Sequence, residues 1–166
     1  MIKKPFFLTI VIFFFVNLAL AADLGQLFKQ VKSELLKKGL VAADVNSIQP
    51  TASNLLGLGI SKENLVNIVM GLVGLGVNGH TLNSPLGALK DLVQSGEKPS
   101  LASNLMSLVI TQAKAQNLTG NAAVSKIVDI INQKKTELLS LKQETQGKIQ
   151  DQKGKINQSL GSLLGK

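Results

Sequence analysis

Past residue 21, large apolar residues recur every three or four positions, the spacing that places side chains on one face of an α-helix. One such series covers residues 24–35 and another covers residues 65–73. No segment shows the strict alternation of apolar and polar residues that is typical of a half-buried strand. The sequence therefore predicts an all-α fold, a small bundle of five to seven helices.

The last part of the chain, residues 121–165, contains no proline and carries apolar residues along one helical face. Residues 142–159, however, are dominated by polar and charged side chains, with only Ile149 and Ile156 as large apolar residues. Such a stretch can bury little surface. We expect a helical core over residues 22–120, followed by a long amphipathic C-terminal helix over residues 121–166 whose polar distal part projects.

Proline, serine and glycine divide the predicted core into shorter helices. Pro50 is expected in the first turn of a segment that ends near residue 59, separate from a short helix over residues 42–48. Ser61, Ser84 with Pro85, and Pro99 mark further helix starts.

Two internal similarities link residues 52–60 with 102–110 and residues 24–31 with 86–93. Their offsets differ, so they cannot belong to one fixed period. A degenerate helical duplication and chance matches in a sequence rich in Leu, Ser and Asn remain alternatives.

The first 21 residues have the parts of a secretory signal peptide: Lys3 and Lys4, an apolar stretch over residues 6–20, and small residues at Ala19 and Ala21. The alternative is an uncleaved anchor helix, because residues 5–22 are about long enough to span a bilayer. We predict cleavage after Ala21 and a secreted protein, extracellular or periplasmic in a bacterium. No later apolar run approaches a spanning length, so we expect no transmembrane span after signal removal.

After residue 21 the chain has one aromatic residue, Phe28, and no Arg or Cys. Without disulfides, stability must come from packing or from partners. Sixteen lysines against ten carboxylates make this part basic, which favours solubility and, as the alternative, weak attraction to anionic surfaces. Nucleic-acid surfaces typically offer Arg and stacking aromatics, so we expect no nucleic-acid partner.

Residues suited to catalysis are few. His80 is the single histidine and follows Asn78 and Gly79, a pair typical of an exposed turn. Ser84 and Asp91 lie near it in sequence, but no nucleophile-elbow pattern accompanies them. With one His and no Cys we expect no metal site, and the scattered carboxylates indicate no catalytic pair. The sequence therefore predicts a non-enzymatic protein without a cofactor.

Residues 54–77 include thirteen Leu, Ile, Val or Met residues and only two charged ones. They predict either a buried core or an aliphatic seam that contacts a hydrophobic ligand, a lipid surface or an apolar interface. On the second hypothesis, which we take as the leading function, the contact residues are Leu27, Phe28, Leu65, Ile68, Val69, Leu72 and Val73.

The alternative function is a structural or protein-interaction module in which the C-terminal helix pairs with a helical protein partner or with itself. The discriminating question is whether apolar residues on this helix face their own domain or solvent: Ile127, Ile131, Leu138, Leu141 and Ile149.

Asn117 and Asn157 each begin an N-glycosylation sequon. These sequons matter only in a eukaryotic source, and chance matches are the alternative in an Asn-rich chain. If used, both asparagines must be exposed.

Overall fold

The computed structural model describes the backbone of residues 23–164 and the side chains of residues 23–155. The predicted signal peptide, residues 1–21, lies outside the described residues. The described chain contains no strand and forms six α-helices, α1 (residues 23–37), α2 (Ala42–Gly57), α3 (Lys62–Val73), α4 (Asn83–Gln94), α5 (Pro99–Ala115) and α6 (Gly120–Leu164), with a 3-10 helix (Gly79–Leu82) before α4. This confirms the predicted all-α bundle with a long C-terminal helix.

Buried side chains from all six helices form one core. Phe28 is its only aromatic member within the described part of the chain, and most of the others are Leu, Ile, Val or Ala. Full burial of one such Leu, Ile or Val side chain contributes about 1.5–3 kcal/mol. Many contributions of this size, rather than a few large aromatic anchors, therefore stabilise the bundle.

Two helix starts agree with the sequence and one does not. The Ser61 hydroxyl accepts a hydrogen bond from the Asn64 N–H at 3.2 Å and caps α3, and Pro99 lies in the first turn of α5. The 3-10 helix, however, runs directly into α4, which begins at Asn83. Ser84 therefore lies inside the helix and does not cap it.

Pro50 lies inside α2, so the predicted break between residues 48 and 51 is wrong. A proline in a helix interior has no N–H to donate and disturbs the carbonyl groups of the preceding turn. Asn83 contacts the helix from outside on both sides of the proline: its Nδ2 donates to the Ser47 carbonyl oxygen at 3.0 Å, and its Oδ1 accepts from Thr51 Oγ1 at 3.0 Å. This contact with the start of α4 supports the helix across the proline.

The five helices α1–α5 end in the same backbone motif. After α1, for example, the Leu40 N–H donates to the Leu35 carbonyl at 3.1 Å across a residue with positive φ, which is the Schellman arrangement. In the five caps the residue with positive φ is Gly39, Gly59, Gly76, Gly96 or Asn117. Successive members of this series stand 20, 17, 20 and 21 positions apart. A unit of one helix and one cap, about 20 residues long, thus recurs five times.

The two sequence similarities do not follow this unit. Leu55 accepts the cap hydrogen bond from Ile60 at the end of α2, whereas its sequence match, Leu105, lies in the middle of α5. The matched residues therefore occupy different places in their helices.

The first part of α6 packs along α4 and α5. Ile127 and Ile131 are buried, and Lys135 pairs with Asp91 of α4. The Lys142 Nζ donates to the Ser95 carbonyl oxygen at the end of α4. Residues 141–155 are all exposed, so α6 leaves the bundle close to Lys142.

Candidate functional site

The predicted contact residues on α3 lie in the core. Leu65, Val69 and Leu72 are 0% exposed and Ile68 is 1% exposed, while Val73 is partly buried against the same core. A ligand would reach these side chains only after neighbouring helices had moved apart.

The seam between α3 and α5 is tightly packed. A Cβ added at Gly71 would lie 3.0 Å from Cγ2 of Ile110, closer than side chains normally approach. The backbone of α3 therefore approaches the Ile110 side chain closely at this point.

The second predicted contact does not form one surface. Phe28 is 4% exposed and belongs to the core, whereas Leu27 is 38% exposed. Consecutive residues of an α-helix are separated by about 100° around its axis, so these two side chains cannot share a face.

The residues with catalytic potential are dispersed. His80 is exposed in the 3-10 helix, which agrees with the predicted exposed turn residue. Asp91 pairs with Lys90 at 3.6 Å and with Lys135 at 3.8 Å on the surface. Within residues 23–155, no three His, Cys, Asp or Glu side chains are grouped closely enough to hold a metal ion.

Exposed apolar side chains lie on α6. Leu138, Leu141 and Ile149 are spaced so that they lie along one side of the helix. Leu138 is partly buried, Leu141 is 59% exposed and Ile149 is 48% exposed. We call these three residues the distal stripe.

The distal stripe continues a buried contact. Ile127 and Ile131 are 0% exposed and lie on the same side of α6, two to three turns before Leu138. The residues chosen to distinguish the two functions are therefore divided. Ile127 and Ile131 face their own domain, whereas Leu141 and Ile149 face solvent. A single apolar face crosses the point where the helix leaves the bundle.

Charged pairs support the exposed part of α6 locally. Lys148 Nζ lies 2.6 Å from Glu144 Oε1, one turn away, and Lys134 Nζ lies 3.4 Å from Glu137 Oε2. Pairs at this spacing stabilise an isolated helix by about 0.2–0.5 kcal/mol each. The pair between Lys148 and Glu144 lies beyond Lys142, where it favours the helix without contact with the bundle.

The two sequons differ in what the structure describes. Asn117 is exposed and lies in the cap that follows α5, with a φ of 53°. This is a conformation that asparagine adopts more readily than most residues. The side chain of Asn157 lies outside the described residues.

None of the helices described here combines the length and the apolar composition needed to cross a lipid bilayer. Comparison of the chain with protein-family models, with curated proteins and with solved structures found no match.

Proposed function

We propose that this protein is an exported, non-enzymatic interaction protein that binds a protein partner through the distal stripe of α6. The observation that carries the proposal is the continuity of one apolar face, buried at Ile127 and Ile131 and exposed at Leu141 and Ile149. Amphipathic helices bind partners by laying such a face into an apolar groove or against another helix.

The bundle contributes by holding the helix in a formed state. Ordering a free segment on binding costs part of the interaction free energy. Because α6 is anchored through its buried first part and through Lys142, the partner meets a helix that is already formed. Full burial of a Leu or Ile side chain contributes about 1.5–3 kcal/mol, and the half-exposed Leu141 and Ile149 offer roughly half of this each.

A lipid surface is the second candidate. Lys148 lies one residue before Ile149 and Lys153 lies four residues after it, and lysines beside an apolar face favour anionic membranes. The distal stripe is narrow and has no aromatic residue, whereas helices on membrane surfaces typically carry a broad apolar face with Trp, Phe or Leu. A protein partner is therefore the better-supported choice, and the hydrophobic-ligand hypothesis for α3 has less support because its residues are buried.

The test combines a crosslinker with a double variant. A photoreactive amino acid at position 145, between Leu141 and Ile149, is expected to give a discrete protein adduct in the fluid into which the protein is secreted. The adduct should disappear in the Leu141→Ser/Ile149→Ser variant. The same photoreactive group at position 41, where Val41 is 60% exposed between α1 and α2, is the matched control and should give no such adduct.

Two further measurements separate the outcomes. The double variant should unfold at the same urea concentration as the parent, because both side chains are already largely exposed. Co-sedimentation with phosphatidylserine vesicles that depends on the two side chains, without a protein adduct, would establish the lipid surface instead. An adduct that survives the double substitution would refute the role of the distal stripe.

A further inference from the structure

Asn78 stands directly before Gly79, at the turn between α3 and the 3-10 helix. It is the one asparagine in the sequence that precedes a glycine, and it is exposed. Glycine has no side chain to hinder the approach of another group to its backbone nitrogen. The pair therefore brings an amide carbon and an accessible nitrogen together in an exposed turn.

Both groups are free of hydrogen bonds to the residues that the structure describes. The Asn78 side-chain amide has no partner among them, and the Gly79 N–H, the first of the 3-10 helix, has no acceptor among them. An asparagine within a helix differs, because the next N–H is bonded to the preceding turn. After Asn64, for example, the Leu65 N–H donates to the Ser61 carbonyl oxygen at 3.0 Å.

We propose that Asn78 is a site of spontaneous deamidation, with water as the other reactant. The Gly79 nitrogen gives its proton to solvent and forms a bond to Cγ of Asn78. The Cγ–Nδ2 bond breaks, and the amide nitrogen takes a proton from solvent and leaves as ammonia. The product of this step is a five-membered cyclic imide.

Water then opens the imide at either of its two carbonyl carbons. It adds to the carbon, and the bond from that carbon to the Gly79 nitrogen breaks, which returns the proton to this nitrogen. Opening at Cγ leaves aspartate at position 78, whereas opening at the main-chain carbonyl carbon leaves isoaspartate. The sum of the two steps is hydrolysis of an amide to a carboxylate and ammonium.

Thr81 restrains the reaction in the folded protein. Its N–H donates to the Asn78 carbonyl oxygen at 3.2 Å, and its Oγ1 donates to the same oxygen. Asn78 has a ψ of 171°, and the Gly79 nitrogen reaches Cγ only after rotation about this bond. The two hydrogen bonds hold the carbonyl group and resist the rotation, so we expect slow conversion that is confined to Asn78.

The isoaspartate product weakens the contact between the 3-10 helix and α2. The Gly79 carbonyl oxygen accepts from Ser47 Oγ at 3.2 Å, and a Cβ at Gly79 would lie 3.7 Å from Asp44 Oδ1. Isoaspartate lengthens the main chain by one carbon immediately before Gly79, which displaces this carbonyl from Ser47. It also adds a negative charge one residue from the glycine that lies beside Asp44, where like charges repel.

Peptide mapping of the purified folded protein, after incubation at physiological temperature and pH, tests the proposal. Cleavage after lysine releases residues 63–90 as one fragment, which holds Asn64, Asn67 and Asn83 as internal controls. Mass spectrometry should show aspartate and isoaspartate at position 78 and intact amides at the three controls. Conversion of Asn78 only in urea-unfolded protein, or equal conversion at a control position, would overturn the proposal.

The restraint by Thr81 has its own matched pair of variants. Thr81→Ala removes the hydroxyl contact with the Asn78 carbonyl and should convert several-fold faster than the parent when folded. Thr111→Ala removes a similar exposed contact, from Thr111 Oγ1 to the Ser107 carbonyl oxygen at 2.9 Å on α5, and should convert at the parent's rate. In urea all three proteins should react alike, and a folded Thr81→Ala variant that reacts no faster than the parent would overturn the restraint.

The effect on the contact with α2 is measured on the product. The isoaspartate form carries one more negative charge than the parent, so ion exchange separates it. It should unfold at a lower urea concentration than unreacted protein from the same incubation. Equal unfolding of the two forms would show that the contact of Gly79 with Ser47 is not weakened.

Discussion

Gly96 meets two structural demands at the end of α4. Its φ is 104°, in the left-handed region where a side chain is disfavoured. A Cβ at this position would also collide with the ammonium end of Lys142, which donates to the neighbouring Ser95 carbonyl. The same residue thus ends one helix and leaves room for the lysine at the point where α6 departs.

We therefore expect Gly96→Ala to lower the free energy of unfolding by about 1–2 kcal/mol, chiefly from the left-handed strain of alanine, because the flexible end of the exposed Lys142 side chain can move aside. Gly87→Ala is the control, because Gly87 lies inside α4 and a Cβ there would meet nothing within 4 Å. It should raise the free energy of unfolding by about 0.5–1 kcal/mol. Urea unfolding followed by circular dichroism measures both, and changes of the same sign would contradict the argument.

At the scale of elements, α2 depends on a contact distant in sequence. Asn83 is 36 residues from Ser47 and 32 from Thr51, and it bonds to both. The Ser47 carbonyl lies one turn before Pro50. Another element therefore adds hydrogen bonds to α2 on both sides of the proline.

Asn83→Ala should lower the free energy of unfolding by about 1–3 kcal/mol, since it removes two part-buried hydrogen bonds that each contribute about 0.5–1.5 kcal/mol. Asn46→Ala is the matched control in the same region. Asn46 is exposed and accepts only from Lys32 Nζ at 2.9 Å, so the change should stay within about 0.5 kcal/mol. Equal losses in thermal unfolding of the two variants would show that the Asn83 contacts are not special.

The same elements show what the sequence could predict. Helical spacing was sufficient for the fold class, for the Ser61 cap and for the long C-terminal helix, because these depend on local pattern. The break predicted at Pro50 is wrong, and Asn83, which bonds to α2 on both sides of the proline, lies too far along the chain to enter a local pattern. The repeated cap has a local signal, a leucine followed four and five residues later by glycine and an apolar residue, as at Leu35, Leu55 and Leu72. The signal was missed because the spacing between units varies.

The candidate site shows a different limit. The spacing of apolar residues identifies the apolar faces of α3 and α6. It does not distinguish a buried face from an exposed one, because Val69 and Leu72 have the same spacing as residues of an exposed stripe. Whether a neighbouring helix covers the face is decided by the packing of the whole chain. For this reason α3 proved buried and the end of α6 exposed.

At the scale of the molecule, stability should depend on the buried residues of α3 more than on exposed apolar residues. Val69 and Leu72 are 0% exposed, so Val69→Ser/Leu72→Ser should lower the free energy of unfolding by several kcal/mol, given about 2–5 kcal/mol for one large buried truncation. Leu108→Ser, at a side chain that is 68% exposed, should change it by no more than about 0.5 kcal/mol. Chemical denaturation of both variants measures the difference.

A different result would restore the ligand hypothesis for α3. If the double variant lost little stability but lost binding of a fluorescent fatty acid that the parent binds, these residues would line an opening seam. A parent that binds no fatty acid would instead leave Val69 and Leu72 with a packing role only.

Lys142 contacts Ser95 at the end of α4, and beyond this contact α6 projects from the bundle. The helix beyond it, residues 143–164, is about 33 Å long at 1.5 Å per residue. A tilt of about 10° at this contact would move the end of α6 by roughly 6 Å, a distance close to one helical turn. A small change in packing at the end of α4 would therefore move the end of α6 by a much larger distance, and a force applied at that end would act on the buried contacts of Ile127 and Ile131.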